Sequence, residues 1–186
     1  MQIRLMTKDD AGDVAQVLNY SIGQSIAHFG TVPTDEKSVL EEWYAAGETY
    51  PWLVARTDEG EFIGFAKGDA WKTRNAYRWT VESGIYLVEG SQGIGAGKAL
   101  YSKLFEVLRL QGFRVVFAGV SLPNPASEGL HVSMGMQPAG DFAPAGYKLG
   151  KWISVRYYQL HLCDLAADSV PGTIRAVTSV WEEMIE

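Results

Sequence analysis

Glu82 is the only acid in a strand-like run, Val81 to Val88. The chain then breaks into Gly90-Ser91-Gln92-Gly93-Ile94-Gly95-Ala96-Gly97, and a helical pattern resumes at Lys98. A strand, a glycine turn and a helix N-terminus together form an anion cradle, because the first N–H groups of a helix have no internal partners. Glycine lets that backbone approach a pyrophosphate with no Cβ in the way. An acid just upstream would lie beside whatever a phosphate-bearing molecule delivers, where it can take a proton directly or through one water. A second titratable group, His131, lies in a short helical stretch further on, and imidazole exchanges protons near neutrality.

Spacing decides between kinds of cradle. A Walker loop needs Gly five residues before a Gly-Lys pair and a hydroxyl residue after it; here Gln92 and Ala99 occupy those places around Gly97-Lys98. A dinucleotide fingerprint needs a third small residue where Lys98 or Leu100 stands, and an acid about where Val115 stands. What remains is Gln92-x-x-Gly95-x-Gly97.

The elements that must position these residues fit one domain. The chain has 186 residues, 47% hydrophobic and 20% charged. A net charge of -6 argues against a nucleic-acid partner. A lone cysteine, Cys163, excludes an internal disulfide and fits a reducing compartment. Neither a leader-like apolar segment nor a run of membrane-spanning length is present, so a cytoplasmic protein with no membrane partner is expected.

Gln2 to Met6 alternates as a strand, and Thr7 with Asp10 forms a capping-box-like start to a helix over Ala11–Ile22. A loop from Gln24 to Pro33 carries His28, read as a solvated histidine, and Phe29. Thr34-Asp35-Glu36 opens a second helix that ends near Gly47, with Val39, Leu40, Trp43 and Tyr44 on one face. Pro51–Arg56 and Phe62–Ala70 read as a hairpin about Asp58-Glu59-Gly60, and Trp71–Tyr77 as a polar, aromatic connection. Lys98–Gln111 is a helix stopped by Gly112, Arg114–Val120 a buried strand, and Ala126–Met134 a short helix. Strands near Ala139–Lys148 and Ser154–Leu162 follow, joined by Leu149-Gly150-Lys151-Trp152. After a linker, Asp164–Pro171, the stretch Thr173–Ile185 has an amphipathic stripe suited to packing or a dimer surface. This order implies an α/β fold with a mixed sheet flanked by helices.

The order of elements and the Gln92-x-x-Gly95-x-Gly97 loop resemble the GNAT superfamily of N-acetyltransferases. Finer stretches are similar to its phosphinothricin and methionine sulfoximine acetyltransferase branch: Tyr50-Pro51-Trp52-Leu53-Val54-Ala55, Trp71-Lys72-x-Arg74-Asn75-Ala76-Tyr77, Trp79-Thr80-Val81-Glu82-Ser83, Leu122-Pro123-Asn124, Leu130-His131 and Gly146-Tyr147-Lys148-x-Gly150-x-Trp152. They cover residues 1–162 as the acetyltransferase domain and leave 163–186 as a tail.

The resemblance implies splayed central strands, acetyl-CoA as cosubstrate and no metal. The pantetheine arm would pair with the backbone of Ile85, Tyr86 and Leu87. The pyrophosphate would rest on Gln92, Gly93, Ile94, Gly95, Ala96, Gly97 and Lys98, and Asn124 and Ser127 would meet the arm. His131 stands where many acetyltransferases carry a tyrosine. The chain departs from the pattern in having no arginine or lysine within Ser91–Ile94, in Met136 and in Gly84.

Acetylation of an amine needs a neutral nitrogen, so Glu82 is the expected base. A backbone N–H near Leu87 would face the oxyanion. His131 would protonate the leaving thiolate or share the role of base. Transfer would be direct, since Cys163 lies far along the chain from the loop. The expected acceptor is a small amino-acid-like molecule, with Lys72, Arg74 and Arg78 against its acidic groups, Phe29, Tyr77 and Trp152 as walls, and Lys148 as a further cation. The rival readings are a different amine (a protein N-terminus or an antibiotic) and a module that binds without turnover. The family pattern also makes a homodimer a possible assembly.

Overall fold

The computed structural model describes residues 1–165 and 170–185. In chain order it has β1 (Gln2–Leu5), α1 (Ala11–Gln24), α2 (Glu36–Ala46), β2 (Trp52–Arg56), β3 (Phe62–Ala70), β4 (Thr80–Leu87), α3 (Ala96–Gln111), β5 (Val115–Leu122), α4 (Pro125–Ser133), β6 (Gln137–Lys148), β7 (Lys151–His161) and α5 (Val177–Ile185). The seven strands form one sheet in the order β1-β2-β3-β4-β5-β7-β6, and β4–β5 is its parallel pair. A parallel neighbour requires a crossover, which α3 supplies.

Period-two alternation sorts β4 between the two faces of the sheet. Val81 and Ile85 join α3 residues Leu100, Leu104 and Leu108 in one core. Tyr86 packs with Phe65, Trp52 and α1 residues Val14 and Leu18 in the other. Glu82, two and four residues from Gly84 and Tyr86, therefore belongs to the α1–α2 face. Ser83 belongs to the α3 face.

Several boundaries differ from expectation. Helix α3 starts at Ala96, two residues early, because Gly95 takes a left-handed φ of 87° that sets the helix entry. The β6–β7 turn shrinks to Leu149-Gly150, both at positive φ, so Lys151 and Trp152 pair within the hairpin. Tyr44 turns to solvent while Val39 is buried. The stripe of α5 packs inward: Val177 and Val180 are buried, Ile174 and Trp181 lie on the α3 core, and Gln111 Nε2 donates to the carbonyls of Thr49 and Arg175. Residues 166–169 of the expected linker lie outside the described residues. No described helix is long and apolar enough to cross a membrane.

Asp10 ties β1, β2 and the start of α1 together. Fully buried, it accepts two bonds from Arg4 (2.6 and 2.8 Å), one from Arg56 Nη2 (2.7 Å) and one from the Thr7 N–H (2.9 Å). Burial alone would push its carboxyl up, but the bonds from Arg4, Thr7 and Arg56 outweigh that and hold it well below the usual carboxylate range. A carboxyl depressed on folding stabilises the fold above its unfolded pKa, and that share is lost as pH falls through the folded value. Asp10→Asn should therefore cost about 3 kcal/mol near neutrality, the low end for a broken buried pair because both arginines are partly solvated. The gap between wild type and variant should narrow on acidification; urea denaturation at several pH values checks both.

Candidate active site

Strands β4 and β5 stay in register only from Thr80–Val115 through Val81–Val116 to Glu82–Phe117. Beyond that point β5 keeps to β7 as far as Leu122–Ser154, and β4 keeps to β3 as far as Gly64–Leu87. The inner edge of β4 from Ser83 to Leu87 thus has no strand beside it. Unpaired strand edges accept an extended segment as an added strand.

A cavity of about 550 Å³ follows this edge past Ile85, Tyr86 and Leu87 to the glycine loop, with Asn124 and Ser127 opposite. It shares Ile85, Tyr86, Asn124 and Ser127 with a second cavity of about 260 Å³ that reaches Glu82, Asp69, Lys67, His28, Tyr101 and His131. The resulting cleft has a phosphate-type end and an acid-lined end.

At the first end, the initial turn of α3 begins with Ala99 N–H bonded to the Gly95 carbonyl (3.0 Å), so the N–H groups of Ala96, Gly97 and Lys98 precede the intrahelical ladder. A side chain on Gly93 or Gly95 would meet nothing within 4 Å, and both have positive φ. This is an open cradle whose backbone only glycine adopts without strain. Gln92 braces it: its Oε1 accepts from Gly90 N–H (3.0 Å), and its Nε2 lies 3.4 Å from the Val88 carbonyl. Ile94 and Lys98 are exposed. The cradle and the free strand edge fit a nucleotide bearing a pyrophosphate and an extended arm. Asn124 is used locally as the N-cap of α4, accepting from Ser127 N–H (3.2 Å).

At the acid-lined end, Asp69 faces Glu82 directly across β3–β4. Lys67, on the same face of β3, pairs with Asp69 (3.1 Å) and with Glu42 of α2, and lies over the Trp52 ring. Burial, then the Asp69 charge, pushes the Glu82 carboxyl up, while Lys72, Tyr157 and Lys67 pull it back; the net shift is upward. His28 is half-buried in this cavity against Tyr86, with its pKa lowered by burial and by Lys148; it is not a solvated loop residue.

His131 approaches from the other face, buried in α4. Its Nδ1 lies 2.6 Å from the Ser127 carbonyl. A carbonyl only accepts, so the neutral ring carries its proton on Nδ1 and Nε2 accepts from the Tyr101 hydroxyl (3.0 Å). Burial pushes the imidazole pKa down, against the opposing pull of the Ser127 carbonyl. Tyr101, a buried residue of α3 that no motif singled out, is therefore the hydroxyl on this side, with Ser83 next to it. A phenol at an apolar-spaced position of the helix was the available signal.

The expected acceptor residues scatter. Lys72 lies over Trp71, and its charge reaches Glu82. Arg74 and Tyr77 are exposed around a short 3-10 turn, with Arg78 over Trp79. Trp152 is 64% exposed, edge-on to Tyr147 at the hairpin tip, because the shorter turn draws it into β7. Neither cavity is lined by Phe29, Lys72, Arg74, Tyr77 or Trp152. Phe29 packs on Gly146 so closely that a Cβ there would clash with its ring.

Lys148 is buried, and its ammonium donates to the carbonyls of Ser21 (3.0 Å), Ser25 (2.7 Å) and His28. All its donors are spent on the backbone, so it holds the loop that walls the cleft and is not free for a ligand. Among the described residues no group of three or more His, Cys, Asp or Glu is placed to hold a metal.

The chain matches the family described as the acetyltransferase (GNAT) family over residues 19–136. It is 36% identical to a phosphinothricin N-acetyltransferase of Streptomyces viridochromogenes, over 97% of this chain and 96% of that one. It is 32% identical to an L-methionine sulfoximine/L-methionine sulfone acetyltransferase of Salmonella typhimurium, covering 90% and 98% of the two chains. Its fold superposes with a TM-score of 0.88 on a phosphinothricin acetyltransferase of Sinorhizobium meliloti solved in complex with AcCoA, at 30% identity over 92% of each chain. With the splayed strands and glycine cradle already in place, these likenesses make the chain a member of the GNAT family, an acetyl-CoA-dependent N-acetyltransferase of phosphinothricin acetyltransferase-like type.

Proposed function

We propose that this enzyme acetylates the α-amine of a small amino-acid-like acceptor of the phosphinothricin, methionine sulfoximine or methionine sulfone kind. The observation that carries the reading is Glu82, a half-buried carboxylate at the acid-lined end of a cleft whose other end is the glycine cradle. The likeness to curated enzymes for those acceptors supports it.

Bound acetyl-CoA supplies an acetyl group already activated as a thioester. The protein's own residues do the rest. The free edge Ser83–Leu87 aligns the arm, and the N–H groups of Ala96, Gly97 and Lys98 take the pyrophosphate. Glu82 accepts the proton that an ammonium must lose before its nitrogen can attack. On the opposite face Tyr101 spends its single O–H on His131 Nε2; to protonate a leaving sulfur that O–H turns away from the imidazole, and the phenolate left behind regains a proton from solvent. His131 then acts by holding Tyr101 rather than by giving up its own proton. Lys72, whose charge reaches Glu82, is the residue we assign to an acidic group of the acceptor. Arg74, Tyr77, Phe29 and Trp152 would serve only if the acceptor extends out of the cleft.

Thiol release should be seen with amino-acid analogues and not with a peptide N-terminus or an aminoglycoside; turnover confined to the latter would overturn the acceptor assignment. Glu82→Gln should lower kcat/KM by at least ~10²-fold. Because Glu82 is shifted upward, wild-type kcat/KM should fall on acidification at a pH above the ordinary glutamate range, as a pH–rate profile will show.

A further inference from the structure

Lys67 and Asp69 have no role in the chemistry described so far, yet both line the cavity that holds Glu82, and Asp69 is its register partner. Asp69 and Glu82 are register partners on β3 and β4, which brings facing side chains to within about 5 Å at Cβ. Lys67, two residues before Asp69 on the same face, bonds Asp69 and Glu42, and its ammonium is held over Trp52. Its side chain is only 13% exposed, so the charge is fixed in place and weakly screened.

We propose that Lys67 and Asp69 are positioning residues for the reaction, with Asp69 holding a negative charge against Glu82 and Lys67 limiting that charge, so that together they set the fraction of Glu82 ready to take the acceptor's proton. The inference rests on Glu82 being the base.

The groups facing this pair come from every surrounding element. Lys72 from the β3–β4 connection and Tyr157 from β7 act on Glu82; Glu42 from α2 acts on Asp69; Tyr50 and Tyr86 feel the Asp69 charge. His28 closes the same cavity from the α1–α2 loop. Asp69 is pushed up by burial and pulled down by Lys67, and Asp69 in turn pushes Glu82 up. Two carboxylates this close titrate as a pair. Removing the Asp69 charge relieves repulsion and favours ionised Glu82. Removing the Lys67 charge lets the pair hold its proton to higher pH.

The two variants therefore pull in opposite directions, which a merely structural role would not produce. Asp69→Asn keeps the shape, and Lys67→Met keeps the stem on Trp52. With one accepted amine, the acid limb of kcat/KM should move to lower pH in Asp69→Asn and to higher pH in Lys67→Met, each by at least ~2-fold in rate at a fixed pH on that limb, where rate follows the ionised fraction. The same opposite movements should appear in the 13C-carboxyl titration of Glu82 in the free protein, its signal assigned by its loss in Glu82→Gln. Wild type that turns over, with both variants superimposed on it, overturns this inference and leaves the proposed function standing. Absence of wild-type turnover counts against the proposed function, and the carboxyl titration still decides whether Lys67 and Asp69 control Glu82.

Discussion

After the Glu82–Phe117 pair, β4 and β5 each keep an outer partner and abandon one another. Backbone groups in a sheet need partners, and the strands satisfy theirs on the outer sides, so a gap can open between them without unravelling the sheet. The gap occurs at the carboxyl ends of both strands, where α3 and α4 begin and their free N–H groups point outward, the place at which open α/β sheets bind ligands. Because strand residues alternate, Glu82 and Ser83 leave β4 on opposite faces, and only at a break in the sheet can both faces line one opening. The acid-lined side and the Tyr101–His131 side surround a single cleft for that reason.

Charge is distributed unevenly around this opening. The glycine loop carries no cation between Ser91 and Ile94, and what it offers an anion is the free N–H groups at the start of α3 together with Lys98. The opposite end gathers Glu42, Asp69 and Glu82 in one cavity with Lys67, whose ammonium bonds the first two. A surplus of carboxylate suits an acceptor that arrives as an ammonium and must lose a proton before it reacts. Lys148 illustrates the other use of a buried cation: spent entirely on carbonyls of the α1–α2 segment, it stiffens a wall of the cleft at long range in sequence.

The elements themselves were legible in the sequence. Apolar spacing marked α1 and α3, the Asp58-Glu59-Gly60 turn marked the β2–β3 hairpin, and the Gln92-x-x-Gly95-x-Gly97 loop marked the cradle, because each is a local signal written in neighbouring residues. Boundaries slipped where one backbone angle decided them, as at Gly95 and Leu149-Gly150. On the acceptor side, Arg74, Tyr77 and Trp152 belong to recognisable motifs and are exposed, whereas Lys67, Asp69 and Tyr101 belong to none and line the cleft.

The sequence by itself determined the order of elements, the anion cradle and the acid that follows β3, since period, turn chemistry and glycine placement act over a few residues. Only the tertiary structure decided which side chains confront one another. The facing of Asp69 and Glu82 depends on strand register, the bond from Tyr101 to His131 on how α3 meets α4, and the burial of Lys148 on a hairpin folding back over α1. A one-residue slip would turn each strand's side chains to the other face, so these encounters are properties of the assembled sheet.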